Sequence, residues 1–118
     1  MLMRLDLQAV LDLIPVKSGK SDKLEIFGRL VGVTSRRIQT FKQKGIVCKH
    51  CGLSATHWEH DCDLYGNWKI KLMSNEIEMT QDHIIPKSRG GNNSMDNAQT
   101  LCMPCNKLKD NKLEEELL

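Results

Sequence analysis

The stretch Asp82-His83-Ile84-Ile85-Pro86-Lys87-Ser88-Arg89-Gly90-Gly91, followed by Asn97 and then by Leu101-Cys102-Met103-Pro104-Cys105-Asn106-Lys107-Leu108-Lys109, decides the reading of this chain. An Asp–His pair at a strand end offers a metal ligand beside a base. A histidine can accept a proton from water near neutral pH. A carboxylate and an amide oxygen are hard donors, which suit Mg²⁺ better than zinc. Lys87, Arg89, Lys107 and Lys109 place phosphate-binding charge around them. Water activation, a hard metal and a basic rim together point to phosphodiester hydrolysis.

Working outward, Cys102 and Cys105 form one C-x2-C pair, and Cys48 and Cys51 form another. A tight turn aims both sulfurs of such a pair the same way. Two pairs supply four thiolates, a closed tetrahedral set with no open position, so the spacing predicts a structural Zn²⁺ at Cys48, Cys51, Cys102 and Cys105. The ion would clasp the start of a core to its last helix. Cys62 is left over. His50, His57 and His60 read as surface or packing residues, because four cysteines already fill a zinc.

The D-H-I-x-P-x-S-x-G-G run, the downstream Asn and the C-x2-C-N-x2-K ending occur in the order found in the HNH nuclease family, and the chain resembles that family over about residues 46–112. The resemblance implies an α+β fold with a ββα-metal core of two strands and a helix. It implies a metal-dependent DNA endonuclease or nickase that leaves 5′-phosphate and 3′-hydroxyl ends. In it, Asp82 and Asn106 hold a catalytic Mg²⁺ or Mn²⁺ and His83 is the general base. Asn97 holds the loop between them, and Lys109 contacts phosphate along with Lys87 and Arg89. Position 106 is Asn where the family's name pattern has His. Small HNH proteins often belong to phages or mobile elements, so a phage packaging or homing context is the expectation. The alternative is a non-catalytic, zinc-containing DNA-binding module that kept the fold.

The rest of the chain is less explicit. Net charge is only +2, yet residues 17–44 hold eight basic against two acidic side chains, a net of +6. That suits DNA. Leu5 to Ile14 reads as a short helix. Asp22 and Glu25 have capping-box spacing ahead of Leu24, Phe27, Leu30 and Val31, which predicts a second helix closed by Gly32. Thr34 or Ser35 caps a third, with Ile38 and Phe41 inward and Gly45 at its end. The spacing of Gly28, Gly32, Val33 and Ile38 resembles a helix-turn-helix. In that reading Ser35, Arg36, Arg37, Gln39 and Lys42 face DNA, whereas a plain helical hairpin packed on the core is the alternative. The expected organisation is therefore a helical segment over 1–45 and a nuclease domain over 46–118. Strands are expected at 46–48, 68–72 and 77–80, a loop over 86–97, a closing helix over 104–113 and a fraying tail over 114–118. With no apolar run long enough for a bilayer and no signal peptide pattern, a cytoplasmic protein with reduced thiols is expected. Only five residues are aromatic. A core this thin commonly needs a staple.

Overall fold

The computed structural model describes residues 3–16, 23–113 and 116. The expected cap at Asp22 and most of the expected tail lie outside them. The chain runs β1 (Arg4–Asp6), α1 (Leu7–Leu13), β2 (Lys23–Ile26), β3 (Arg29–Gly32), α2 (Arg36–Lys44), β4 (His57–Cys62), β5 (Trp68–Ser74), β6 (Ile77–His83), β7 (Ala98–Cys102) and α3 (Met103–Lys109). The five strands β1-β4-β5-β6-β7 form one antiparallel sheet, and β2-β3 stand apart as a hairpin. Because β1 pairs with β4, Arg4–Asp6 share a sheet with the last strands.

The fold is mixed α and β, as expected, but the N-terminal segment is only partly helical. The helix expected over 24–31 is the β2–β3 hairpin. Ile26 pairs with Arg29 across a two-residue turn. Phe27 and Gly28 both take positive φ there, 47° and 87°. That is the backbone of a hairpin turn whose twist matches its strands. Leu24 and Ile26, then Val31 and Val33, also repeat at period two, and Ile26, Val31 and Val33 are buried. The helical and strand periods coincide over so short a run, and burial chose the strand. With a hairpin ahead of α2, the helix-turn-helix reading does not hold.

Helix α2 matches its signals. Ser35 Oγ accepts from Ile38 N at 3.3 Å, and Gly45 ends the helix at φ 110°. Ile38 and Phe41 enter the core, where Phe41 meets Trp58 edge-on at 5.9 Å. Trp58 Nε1 donates to Leu7 O, which ties α1 to the sheet. Burying such a ring satisfies both its apolar body and its N–H.

Strands β4 and β7 were not expected. β4 spells His-Trp-Glu-His-Asp-Cys, too polar to read as a strand, yet His57 and His60 are buried. His60 Nε2 lies 2.8 Å from Ile26 O, and its ring meets Trp68 edge-on. Arg29 stacks over the other partner, its guanidinium 4.4 Å from the Trp68 ring. These contacts seat the hairpin on the sheet. All of β7 is buried, so it lacks the alternation that marks a half-exposed strand. Thr100 Oγ1 donates to Gly45 O at the end of α2. Its neighbour Gln99, on the other face, bonds Asp82.

Candidate metal centre and nuclease site

The site is built from β6, β7, the loop between them and α3. In a strand, alternate residues share a face, and in a helix, residues three apart do. Thr80 and Asp82 of β6 therefore meet Asn106 and Lys109 of α3. Asn106 Nδ2 donates to Thr80 Oγ1 at 2.7 Å. Thr80 Oγ1 in turn donates to Leu101 O at 2.8 Å. The Asn106 amide oxygen takes no part in that bond.

Asp82 is buried, and its Oδ2 accepts from Gln99 Nε2 at 2.9 Å and from Lys109 Nζ at 3.0 Å. Lys109 is 2% exposed, and its ammonium also donates to His83 O at 2.9 Å. An exposed phosphate-contacting lysine was expected at 109. The structure corrects that, since α3 turns Lys109 inward, where the buried carboxylate needs a countercharge. Lys109 holds Asp82 and the backbone of His83 together.

The loop over 84–97 returns the chain from β6 to β7 and is stitched by Asn97. Its Oδ1 accepts from Ile85 N at 2.8 Å, and its Nδ2 donates to Ile85 O at 3.0 Å and to Asn92 O at 2.8 Å. Gly91 N donates to Pro86 O. A Cβ at Gly91 would overlap the Ile85 carbonyl and lie 2.9 Å from Asn97 Nδ2, so this close approach admits only glycine. The GG of the motif and the Asn six residues later are two halves of one joint. His83, at the end of β6, is half-buried, with Nε2 2.8 Å from Asn93 Oδ1.

The four expected zinc ligands come together. The sulfurs of Cys48, Cys51, Cys102 and Cys105 all lie within 4.8 Å of one another. Cys51 and Cys102 sulfurs stand 3.7 Å apart. A tetrahedron with ~2.3 Å Zn–S bonds has edges of about 3.8 Å. The first pair sits in a tight turn in which Cys48 N donates to Leu53 O and Gly52 N to Cys48 O. The second spans the junction of β7 and α3. Lys49 N donates to Thr100 O, joining the two halves. Burial and the neighbouring sulfurs push the Cys105 thiol up. Burial also works against the Cys48 thiolate, but amide donors from Cys51, Cys102 and His50 outweigh it and bring Cys48 down to about 6. Four sulfurs at this spacing fit a metal such as zinc. Among the described residues, this is the cluster of metal-binding side chains.

The basic residues expected on DNA divide. Lys87 is exposed, and Arg89 is exposed but pairs with Glu116 at 2.7 Å. The three on α2 turn to the protein. Arg36 donates to the carbonyls of Asn93, Ser94 and Asn97. Arg37 Nη2 donates to Ile70 O at 2.7 Å, and burial lowers its pKa against the pull of Glu78 and Asp61. Lys42 Nζ donates to Leu11 O at 2.9 Å. Gln39, expected on the same DNA face, is fully buried and donates to Pro15 O and Val33 O. The physical reason is that α2 packs on β6 and β7, which brings these side chains within reach of backbone carbonyls of the loop, of β5 and of α1.

Sequence reasoning missed Asn93, Gln99 and Thr80. Gln99 could have been found by placing β7 opposite β6, since it pairs directly with Asp82. No local signal marks Asn93.

Residues 72–118 match the model of the HNH endonuclease family. The match begins within β5 and takes in β6, the loop, β7 and α3. It includes Cys102 and Cys105 but not Cys48 and Cys51, so half of the cysteine cluster is supplied from outside it. No curated protein and no solved structure gave a match. No described helix is long and apolar enough to cross a membrane.

Proposed function

We propose that the chain is a metal-dependent DNA endonuclease or nickase that hydrolyses phosphodiester bonds to 5′-phosphate and 3′-hydroxyl ends. The observation that supports this reading is the meeting of β6 and α3, where Asn106 bonds Thr80 and Lys109 bonds Asp82 and the His83 backbone, while the motif's own Asn97 and Gly91 lock the loop beside them. Residues 46–118 would be the nuclease segment and residues 1–45 its support. Zinc on the four cysteines would be structural.

Asp82 and Asn106 would hold Mg²⁺ or Mn²⁺ through carboxylate and amide oxygens. When bound, that ion supplies positive charge for the leaving 3′ oxygen. His83 takes a proton from the attacking water and so makes it a nucleophile. Lys109 keeps the Asp82 carboxylate and the His83 backbone in fixed relation. Lys87, on the exposed loop, would meet the phosphate backbone.

Supercoiled plasmid, incubated with and without Mg²⁺ or Mn²⁺, tests the reading. Metal-dependent nicking is expected. His83→Ala should lose about 10²–10⁴-fold in rate and not recover at higher Mg²⁺, because a base does not hold the metal. Asp82→Ala and Asn106→Ala should recover in part. Zinc-loaded, folded protein that binds DNA without cutting it under any of these ions would establish the non-catalytic alternative.

A further inference from the structure

Arg36 belongs to α2, outside the segment that matches the family, yet its hydrogen bonds converge on the family's loop. Nη1 donates to Asn93 O at 3.2 Å and to Ser94 O at 3.3 Å, and Nη2 donates to Asn97 O at 3.1 Å. Asn97 O also accepts from Ile84 N, the residue after His83. One planar fork thus gathers three carbonyls of the returning limb, a task suited to arginine and not to lysine. Thr40, one turn along α2, sets its hydroxyl 4.0 Å from Met95 Sδ on the same limb. Asn92 O, just before the gathered carbonyls, is held from the other side by Asn97 Nδ2. Asn93 is therefore pinned through its own peptide and both neighbours. Its free side-chain oxygen is the atom that meets His83.

That contact carries chemical information. Oδ1 of an amide only accepts, so with that oxygen facing the ring the 2.8 Å contact with His83 Nε2 is a hydrogen bond when Nε2 carries the proton. The neutral ring then presents its lone pair at Nδ1. A base in the other tautomer, or rotated out of this bond, would offer water no lone pair in the same direction. We infer that Asn93 and Arg36 are positioning residues for His83, with Asn93 selecting the Nε2–H tautomer and ring orientation, and Arg36 fixing Asn93 from outside the family segment. The inference rests on the reading of His83 as the general base.

The test reads the tautomer directly, apart from activity. Long-range ¹H–¹⁵N spectra are recorded on the full chain with ¹⁵N-labelled histidine, at a pH where the imidazoles are neutral, with His83 assigned by comparison with His83→Gln. The wild type should show His83 mainly with the proton on Nε2. Asn93→Ala and Arg36→Ala should show a mixture. Asn93→Asp, which keeps the accepting oxygen, should restore the single tautomer. Arg36→Lys, which keeps the charge but not the fork, should resemble Arg36→Ala and carries the test if the alanine variant does not fold. In nicking assays, Asn93→Ala and Arg36→Ala should lose roughly tenfold to hundredfold in kcat, with DNA affinity and its salt dependence unchanged. A wild-type proton on Nδ1, or a tautomer indifferent to Asn93→Ala, overturns the inference. If the tautomers respond as expected while His83→Ala still nicks like the wild type, the positioning stands and the assignment of His83 as base falls.

Discussion

Two stretches of this molecule drew attention in the sequence for different reasons, and the structure uses them differently. In the segment from Asp82 to Lys109, glycine, asparagine and cysteine recur at fixed spacings, and each closes a local joint: Gly91 against Ile85, Asn97 across the loop, Cys102 with Cys105. In α2 the feature that stood out was a set of cations. Arg36, Arg37 and Lys42 turn to backbone carbonyls of the loop, of β5 and of α1. The difference teaches that a spacing motif encodes geometry, because a turn or a tight approach admits few residues. A charge count encodes none, because a long flexible side chain goes wherever its helix is packed.

The cysteine cluster joins the two stretches, since Cys48 follows α2 and Cys102 precedes α3. Removing its metal should therefore do the greatest damage. Chelation, or Cys102→Ser, should abolish cooperative folding, as ligation supplies on the order of 10 kcal/mol in small zinc domains. Elemental analysis with thermal melting checks this. A metal-free chain melting like the metal-loaded one would mean that the core holds both stretches unaided.

Lys109 tests whether a cation inside the motif behaves as those on α2 do. Lys109→Met leaves Asp82 buried without its countercharge and should destabilise by about 3–5 kcal/mol. Lys109→Met together with Asp82→Leu should regain part of that. Denaturant melts of the single and double variants give the comparison. A single variant as stable as the wild type would show that Lys109 is not a structural partner.

A smaller effect is expected at Gly91. Gly91→Ala must push the Ile85 carbonyl aside and should cost about 1–3 kcal/mol, with nicking reduced more than DNA binding. Unchanged stability would mean that the joint is looser than its contacts require.

The smallest effect sharpens the contrast most. Lys87→Ala should reduce the salt slope of DNA binding by about one. Arg37→Ala and Lys42→Ala should leave that slope unchanged although they weaken the fold. Equal slopes for all three, or a larger change from α2, would return α2 to the DNA.

By itself, the amino-acid sequence determined the cysteine tetrad, the Asp–His pair, the loop asparagine and the start of the closing helix, which ends at Lys109 and not at 113. Each depends on contacts within a turn or two, or on spacing that a single ion enforces. It also determined α2, through Ser35, Ile38, Phe41 and Gly45. What it could not determine was any feature decided by distant neighbours. Residues 24–31 fit two periods, and only packing of Ile26 and Val31 into the core selected the hairpin. β4 reads as polar, yet His60 is satisfied by a carbonyl and a ring from other elements, and His57 by its neighbours Thr56 and Glu59. β7 shows no alternation because helices approach it from both faces. The directions of Arg36 and Lys109 were likewise tertiary outcomes. A buried carboxylate drew Lys109 inward, since leaving it unpaired costs more than losing a cation's hydration at the surface, and three carbonyls of the loop took the Arg36 fork.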